Sequence, residues 1–368
     1  MFDDIRPYHD DEVVAVIQRL IEETDLQTSI ASLKMPRLFK ILPSLSRFLV
    51  KISLKTRAKK IVSTDAIQQE VEQYLNHLLK NSSTAFTYQG LDKLDNSKAT
   101  LFISNHRDII LDAALVNLAL FQSNMNTVQA AVGDNLLDKP WVSDLMRLNK
   151  CFVVKRSEKT KRAMLEASKQ LSSFIHHSLT TDIENIWIAQ REGRAKDGID
   201  KTNVALISML LLNKDKQKPI ADYLQELNIV PVAISYEFDP CDKDKAIELA
   251  AKEVHGVYQK SADEDLKSMT QGLVGKKGQI HIEFCAPLQG DFADSKAIAN
   301  EIDQQIIANY KLYDSNQTAY TLLQNKETQS AMAEQLKQRM DGLTTPQQHW
   351  LLTMYANPVF GKERLEKL

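Results

Sequence analysis

Apolar residues recur at helical spacing through the first part of the chain: Val13, Val14, Ile17, Leu20 and Ile21, then Ile67, Val71, Tyr74, Leu75 and Leu78. Steps of three and four place such residues on one helix face, so residues 1–80 are predicted to be helical, without a strand. From about residue 98 the pattern alternates. Short apolar runs suited to buried strands fall near 100–104, 127–132, 151–155, 184–189, 229–235 and 279–284. Helical stretches lie between most of them, at 109–121, 158–178, 203–213 and 244–258. Strand and helix in succession predict an α/β fold with a mixed, mostly parallel sheet flanked by helices. Residues 293–356 return to helix. The predicted layout is an N-terminal helical region (1–85), an α/β domain (86–292) and a C-terminal helical region (293–368).

The stretch from Leu26 to Thr64 stands apart from its neighbours. It carries nine cations (Lys34, Arg37, Lys40, Arg47, Lys51, Lys55, Arg57, Lys59 and Lys60) and no acid. After Pro43, the residues Leu45, Phe48, Leu49 and Ile52 share one helical face, and Arg47, Lys51 and Lys55 lie off it. A basic amphipathic helix of this kind reads as a membrane-surface element, here about 28–60. A core-packing helix with a solvated basic face is the other reading of the same pattern.

Composition narrows the class. The chain is 43% hydrophobic and 26% charged with a net charge of −2, which argues against bulk nucleic-acid binding. Cys151, Cys241 and Cys285 are too scattered for a disulfide framework or a zinc site and fit reduced thiols in a cytosolic setting. The acidic N-terminus lacks the form of a signal peptide. The best uncharged stretch begins at Ala113 and is interrupted by Gln122, Ser123, Asn124 and Asn126, short of the roughly 20 apolar residues a spanning helix needs.

Four places carry candidate chemistry. Asn105-His106-Arg107-Asp108 follows the apolar run Leu101–Ser104 at a strand-to-helix junction, where open α/β sheets place their ligands. Asp108 and Asp112 are both within reach to orient the imidazole. Helix geometry, at about 100° per residue, puts neither on one face with His106, so the histidine precedes the helix and the chain turns between them. Asp108 is placed to cap that helix, and Asp112 to point back from its first turn. The run Cys151–Val154 ends in Lys155 and Arg156. The run Ile186–Ala189 enters a loop holding Arg191, Glu192, Gly193, Arg194 and Lys196, in which arginine offers a forked donor matched to phosphate oxygens. Finally, Val230-Pro231-Val232 interrupts a buried strand with a proline, which predicts an edge or a shaped pocket wall.

Taken in order, these blocks resemble the glycerophospholipid acyltransferases, the family of glycerol-3-phosphate and lysophosphatidic acid acyltransferases. That family carries an NHxxxxD motif, a strand ending in arginine, an EGxR loop and a valine–proline strand. Asn105-His106…Asp112, Phe152…Arg156, Glu192-Gly193-Arg194 and Val230-Pro231-Val232 follow the same sequence over about 98–237. Two spacings differ: five residues separate His106 from Asp112, and Arg194 follows Gly193 directly, as in a divergent branch. The resemblance implies a glycerol-3-phosphate acyltransferase-like fold with His106 as general base and an aspartate partner. Asp112 is favoured because Ala113-Ala114-Leu115 continues as the family's helix does; Asp108 is the alternative. It implies substrate contacts from Asn105, Arg107, Lys155, Arg156, Glu192, Gly193, Arg194 and Lys196, with Arg194 or Lys196 taking the phosphate.

The implied reaction moves a fatty acyl group from coenzyme A or acyl carrier protein to the hydroxyl of glycerol 3-phosphate or lysophosphatidic acid. A thioester is already activated, so no metal or cofactor is implied. The implied partners are the acyl donor, a phosphorylated glycerol acceptor and an anionic membrane surface, with no nucleic acid. The implied location is cytoplasmic, peripheral (monotopic) on the inner face of the cell membrane. His106-Arg107-Asp108 also matches a kinase catalytic loop, but Ala113 stands where that loop needs asparagine, and no glycine-rich loop or Asp-Phe-Gly accompanies it. The Gly272–Gly278 run lacks Walker spacing and is read as a turn before a strand in which His281 is structural. The remaining alternatives are a lipid esterase, weakened by the lack of a G-x-S-x-G elbow, and an inactive membrane-associated scaffold of the same fold.

Overall fold

The computed structural model describes residues 2–137, 139–261, 264–324, 326 and 328–367. Seven strands occur among them: β1 Ser83–Gln89, β2 Leu101–Ser104, β3 Val128–Gly133, β4 Cys151–Val154, β5 Asn185–Ala189, β6 Ile229–Tyr236 and β7 Gly278–Phe284. The chain forms two compact units, Met1–Tyr74 with Gln129–Phe174, and Leu75–Val128 with Ile175–Leu368.

In the larger unit the strands lie in the order β1-β7-β6-β2-β5. Only the β6–β7 pair is antiparallel; β1 with β7, β6 with β2 and β2 with β5 are parallel. Every residue of β2 and β6 is buried, which is why both read as continuous apolar runs without alternation. Helices flank the strands, giving the mixed, mostly parallel α/β arrangement that the alternating pattern predicts. The C-terminal helices Asp314–Leu323, Ala331–Met340 and Thr345–Leu365 close around Ala319, Leu336, Leu351 and Tyr355, with Ala246 of helix Asp242–His255.

Three local readings need correction. β1 is a strand that the hydrophobic pattern does not predict. Its sequence STAFTYQ is half polar and only partly buried, and its ladder is made with β7, nearly two hundred residues away. β6 is an interior strand despite Pro231. The missing N–H is tolerated because β7 pairing starts only at Val232, opposite Phe284, and Pro231 itself contributes a carbonyl to the Cys285 N–H at 2.9 Å. Gly272 belongs to helix Glu264–Val274, so the glycine-containing turn before β7 is shorter than the run implies.

In the smaller unit β3 and β4 pair in parallel. Val13, Val16, Leu20, Leu26 and Leu148 form its core. Pro36 and Pro43 open the helices Pro36–Ile41 and Pro43–Ala58, where a first-turn proline loses no hydrogen bond. Helix Pro43–Ala58 buries only Ser46 and Val50. Leu45, Phe48, Leu49 and Ile52 are 44%, 58%, 41% and 47% exposed, so this apolar face is not part of a core. Lys51 and Lys55 pair with Glu22. No described helix is long and apolar enough to cross a membrane.

Candidate active site

The site grows from a difference in strand length. β2 ends at Ser104, which lies opposite Val232, while β6 continues for four more residues. The unpaired edge of β6 is taken up by Asn105. Its side-chain carbonyl accepts the Ile234 N–H at 2.8 Å, and its amide donates to the Ile234 carbonyl at 3.0 Å. Asn105 thereby continues the ladder with its side chain and releases its backbone to turn.

That turn delivers His106 to Asp112. Nδ1 of His106 lies 2.8 Å from Oδ2 of Asp112, and the same oxygen accepts the N–H groups of Arg107 (2.6 Å) and Asp108 (2.9 Å). The second oxygen, Oδ1, accepts the Tyr236 hydroxyl at 2.9 Å. Four donors meet a fully buried carboxylate. Against this acceptor Nδ1 is the protonated ring nitrogen, which leaves the Nε2 lone pair available. Nε2 has no hydrogen-bond partner among the described residues. The imidazole stands edge-on to Trp187, with centroids 6.0 Å apart. Trp187 is held in turn by its indole N–H on Ser104 Oγ at 3.1 Å.

Asp108 takes the other role. Its Oδ1 accepts the N–H groups of Ile110 and Leu111, where helix Leu111–Gln122 begins. Burial and the nearby Asp112 push its carboxyl above the usual range. Gly272 packs directly on it: a Cβ there would stand 2.1 Å from Oδ2, so glycine is required in the last turn of helix Glu264–Val274.

Arg107 is buried, and its guanidinium is directed at the loop after β5. It donates to the carbonyls of Ala195 and Gly198 at 3.2 Å each and to Asp200 at 2.6 Å. Its own carbonyl accepts Lys245, which also pairs with Asp239. Burial is the largest single influence and works against the charge of Arg107, but Asp200 together with Tyr310, Asp239 and Asp197 holds the guanidinium above its ordinary value. For both Asn105 and Arg107 the side-chain hydrogen bonds are made with protein groups, so these two residues build the loop on which His106 sits.

The loop after β5 is fastened to the same backbone by the Ala195 N–H on the His106 carbonyl, 2.8 Å. Gly193 takes a left-handed φ of +72°, open to solvent, and Glu192 beside it is exposed. Lys196 is held by Glu248, and desolvation lowers its pKa despite that contact. Arg194 is half-buried and makes no hydrogen bond or ion pair with the described residues. Its charge is still felt: burial alone would raise Asp239, and Lys245, with Arg194 beyond it, brings that carboxyl below its usual value. Lys155 and Arg156 belong to the smaller unit. Lys155 is bonded to Asp4 and Gln170 there, and the Arg156 N–H is bonded to Asp134.

Sequence reasoning missed Tyr236, Asp200, Asp239 and Lys245. Tyr236 carries a visible signal, a polar end on an otherwise apolar run; the others act only through tertiary contact. His281 is buried against Thr87 (2.8 Å) and Glu283, a structural position.

Residues 85–189 match the family model Acyltransferase, a span that includes β2, the His106–Asp112 pair and β5. A solved structure, the 1-acyl-sn-glycerophosphate (LPA) acyltransferase PlsC from Thermotoga maritima, is similar at 10% identity and a TM-score of 0.38, over 77% of this chain and 95% of that one. Among curated proteins no match is found.

Proposed function

We propose that the chain is an O-acyltransferase that moves a fatty acyl group from a coenzyme A or acyl carrier protein thioester to the hydroxyl of a phosphorylated glycerol, glycerol 3-phosphate or lysophosphatidic acid. One observation carries the reading. Within the segment that matches the acyltransferase family, His106 is oriented through Nδ1 by a buried carboxylate, and its Nε2 has no partner among the described residues. Nε2 removes the hydroxyl proton as the oxygen attacks the thioester carbonyl. The C–O bond forms, the C–S bond breaks, and the departing thiolate takes the proton back from the imidazolium, so neither metal nor redox chemistry is called for. Arg194 is the proposed phosphate contact. It is joined through Ala195 to the His106 carbonyl, which sets the distance between bound phosphate and base.

The test is acyl transfer from acyl-CoA and from acyl carrier protein to both acceptors. Arg194→Ala is expected to raise the acceptor KM about 10-fold or more, the loss of one charge-assisted contact, with donor KM unchanged. An effect confined to the donor contradicts the assignment. Free fatty acid released without acyl-glycerol identifies an esterase instead. No turnover of any thioester, with lipid binding intact, identifies a scaffold.

The same proposal places the chain peripherally on an anionic leaflet, on the cytoplasmic side. The exposed face Leu45, Phe48, Leu49 and Ile52, flanked by cations, is suited to lie at the headgroup boundary. Each lysine or arginine near such a surface contributes about 1 kcal/mol, so replacing Lys34, Arg37, Lys40 and Arg47 with glutamate is expected to abolish sedimentation with anionic vesicles. Unchanged sedimentation would remove the membrane from the proposal.

A further inference from the structure

Three of the four donors on Asp112 come from the loop it organises: His106 Nδ1, Arg107 N and Asp108 N, all on Oδ2. They move with that loop. The fourth comes from the sheet, and it is the one described donor on Oδ1. The terminal torsion of an aspartate is soft, so hydrogen bonds to one oxygen leave the carboxylate free to rock about it. Asp112 is fully buried, so no solvent is at hand to replace the missing donor. We propose that Tyr236 is a positioning residue for the base: its hydroxyl fixes the plane of the Asp112 carboxylate and thereby the direction of His106 Nε2.

The anchor is stiff. Tyr236 is the last residue of β6, a strand buried along its whole length, and two residues earlier Ile234 grips the Asn105 side-chain amide with both its N–H and its carbonyl. One strand end therefore holds the histidine loop at two points. Burial, and after it Asp112, keep the phenol protonated well above its ordinary range, so it stays a donor and does not compete as a base. The kinetic part of this inference rests on the acyl-transfer reading; the structural part does not.

The test uses the full chain labelled with ¹⁵N. The His106 Nδ1–H proton is followed far downfield and assigned by its loss in His106→Ala. In Tyr236→Phe this resonance is expected to broaden into exchange with water, while kcat falls about 10-fold or more with acceptor KM unchanged. In an Asp112→Asn background the same change is expected to add nothing, because the hydroxyl acts through that carboxylate. Global 3-fluorotyrosine, which makes the phenol a stronger donor, is the second sample should Tyr236→Phe not fold, and it should move the resonance. A resonance that stays sharp and unmoved in the folded samples overturns the proposal, as does a full further loss of kcat on top of Asp112→Asn. If the resonance responds but the wild type transfers no acyl group, the acyl-transfer reading falls and the pairing stands. If the wild type is active and Tyr236→Phe changes neither signal nor kcat, the proposal falls alone.

Discussion

His106→Ala is expected to lower kcat for acyl transfer by about 10²–10⁴-fold, the range in which a positioned general base contributes, with little change in acceptor KM. In the proposed reaction the base touches the hydroxyl proton and not the phosphate, so binding is expected to survive its loss. Asp112→Asn should approach the same deficit. An amide at this position cannot accept from His106 Nδ1, the Arg107 N–H and the Asp108 N–H on one oxygen, and from Tyr236 on the other. Either the imidazole is turned or its tautomer reverses. Asp108→Asn is the informative contrast. An asparagine oxygen still accepts from Ile110 and Leu111, so activity should be retained. Stability should change in a pH-dependent way. Because burial and Asp112 raise the Asp108 pKa, the folded chain holds a proton that the unfolded chain releases between the usual carboxylate value and the raised one. Stability is lost as pH rises through that window, and asparagine removes the loss. Urea melts at about pH 4 and about pH 7 should therefore show Asp108→Asn gaining on wild type at the higher pH. Loss of activity equal to that of Asp112→Asn would exchange the roles of the two aspartates.

Much of this arrangement is written in local pattern. The apolar runs mark six of the seven strands among the described residues because buried strands need them, and the polar quartet at 105–108 marks the turn because a strand cannot absorb four such residues. The choice between Asp108 and Asp112 needs the third dimension. Asp112 points back from the first helical turn only because β2 stops four residues before β6 does, which lets Asn105 fill the gap and swing His106 round. Tyr236 reaches Asp112 from 124 residues away, and nothing periodic announces such a meeting. β1 was hidden for a related reason: its pairing with β7, not its own residues, makes it a strand. The cations at 155 and 156 read like those at 194 and 196. In the fold Lys155 and Lys196 are committed to acids, whereas Arg194 has no acidic partner among the described residues.

Arg107→Met is expected to destabilise the chain by about 3–5 kcal/mol, the usual cost of leaving one member of a buried ion pair alone. Asp200 is buried, its Oδ1 has no partner among the described residues, and Oδ2 is shared by Arg107 and Asn105. Removing the guanidinium leaves that carboxylate with a single neutral donor at 3.2 Å. It also frees the carbonyls of Ala195 and Gly198 from the residue that gathers them. Asp200→Asn in the same chain should recover much of the loss, since an amide needs no counter-charge; denaturant melts of the two single variants and the double variant measure the coupling. Activity should not recover with stability. The loop that carries Arg194 remains detached from Arg107 in the double variant, so acceptor KM should stay high after the fold has been restored. Additive effects of the two substitutions on stability would show that Arg107 and Asp200 do not act as a pair. Full recovery of KM with stability would show that Arg107 serves the fold alone and does not help hold the proposed phosphate contact in place.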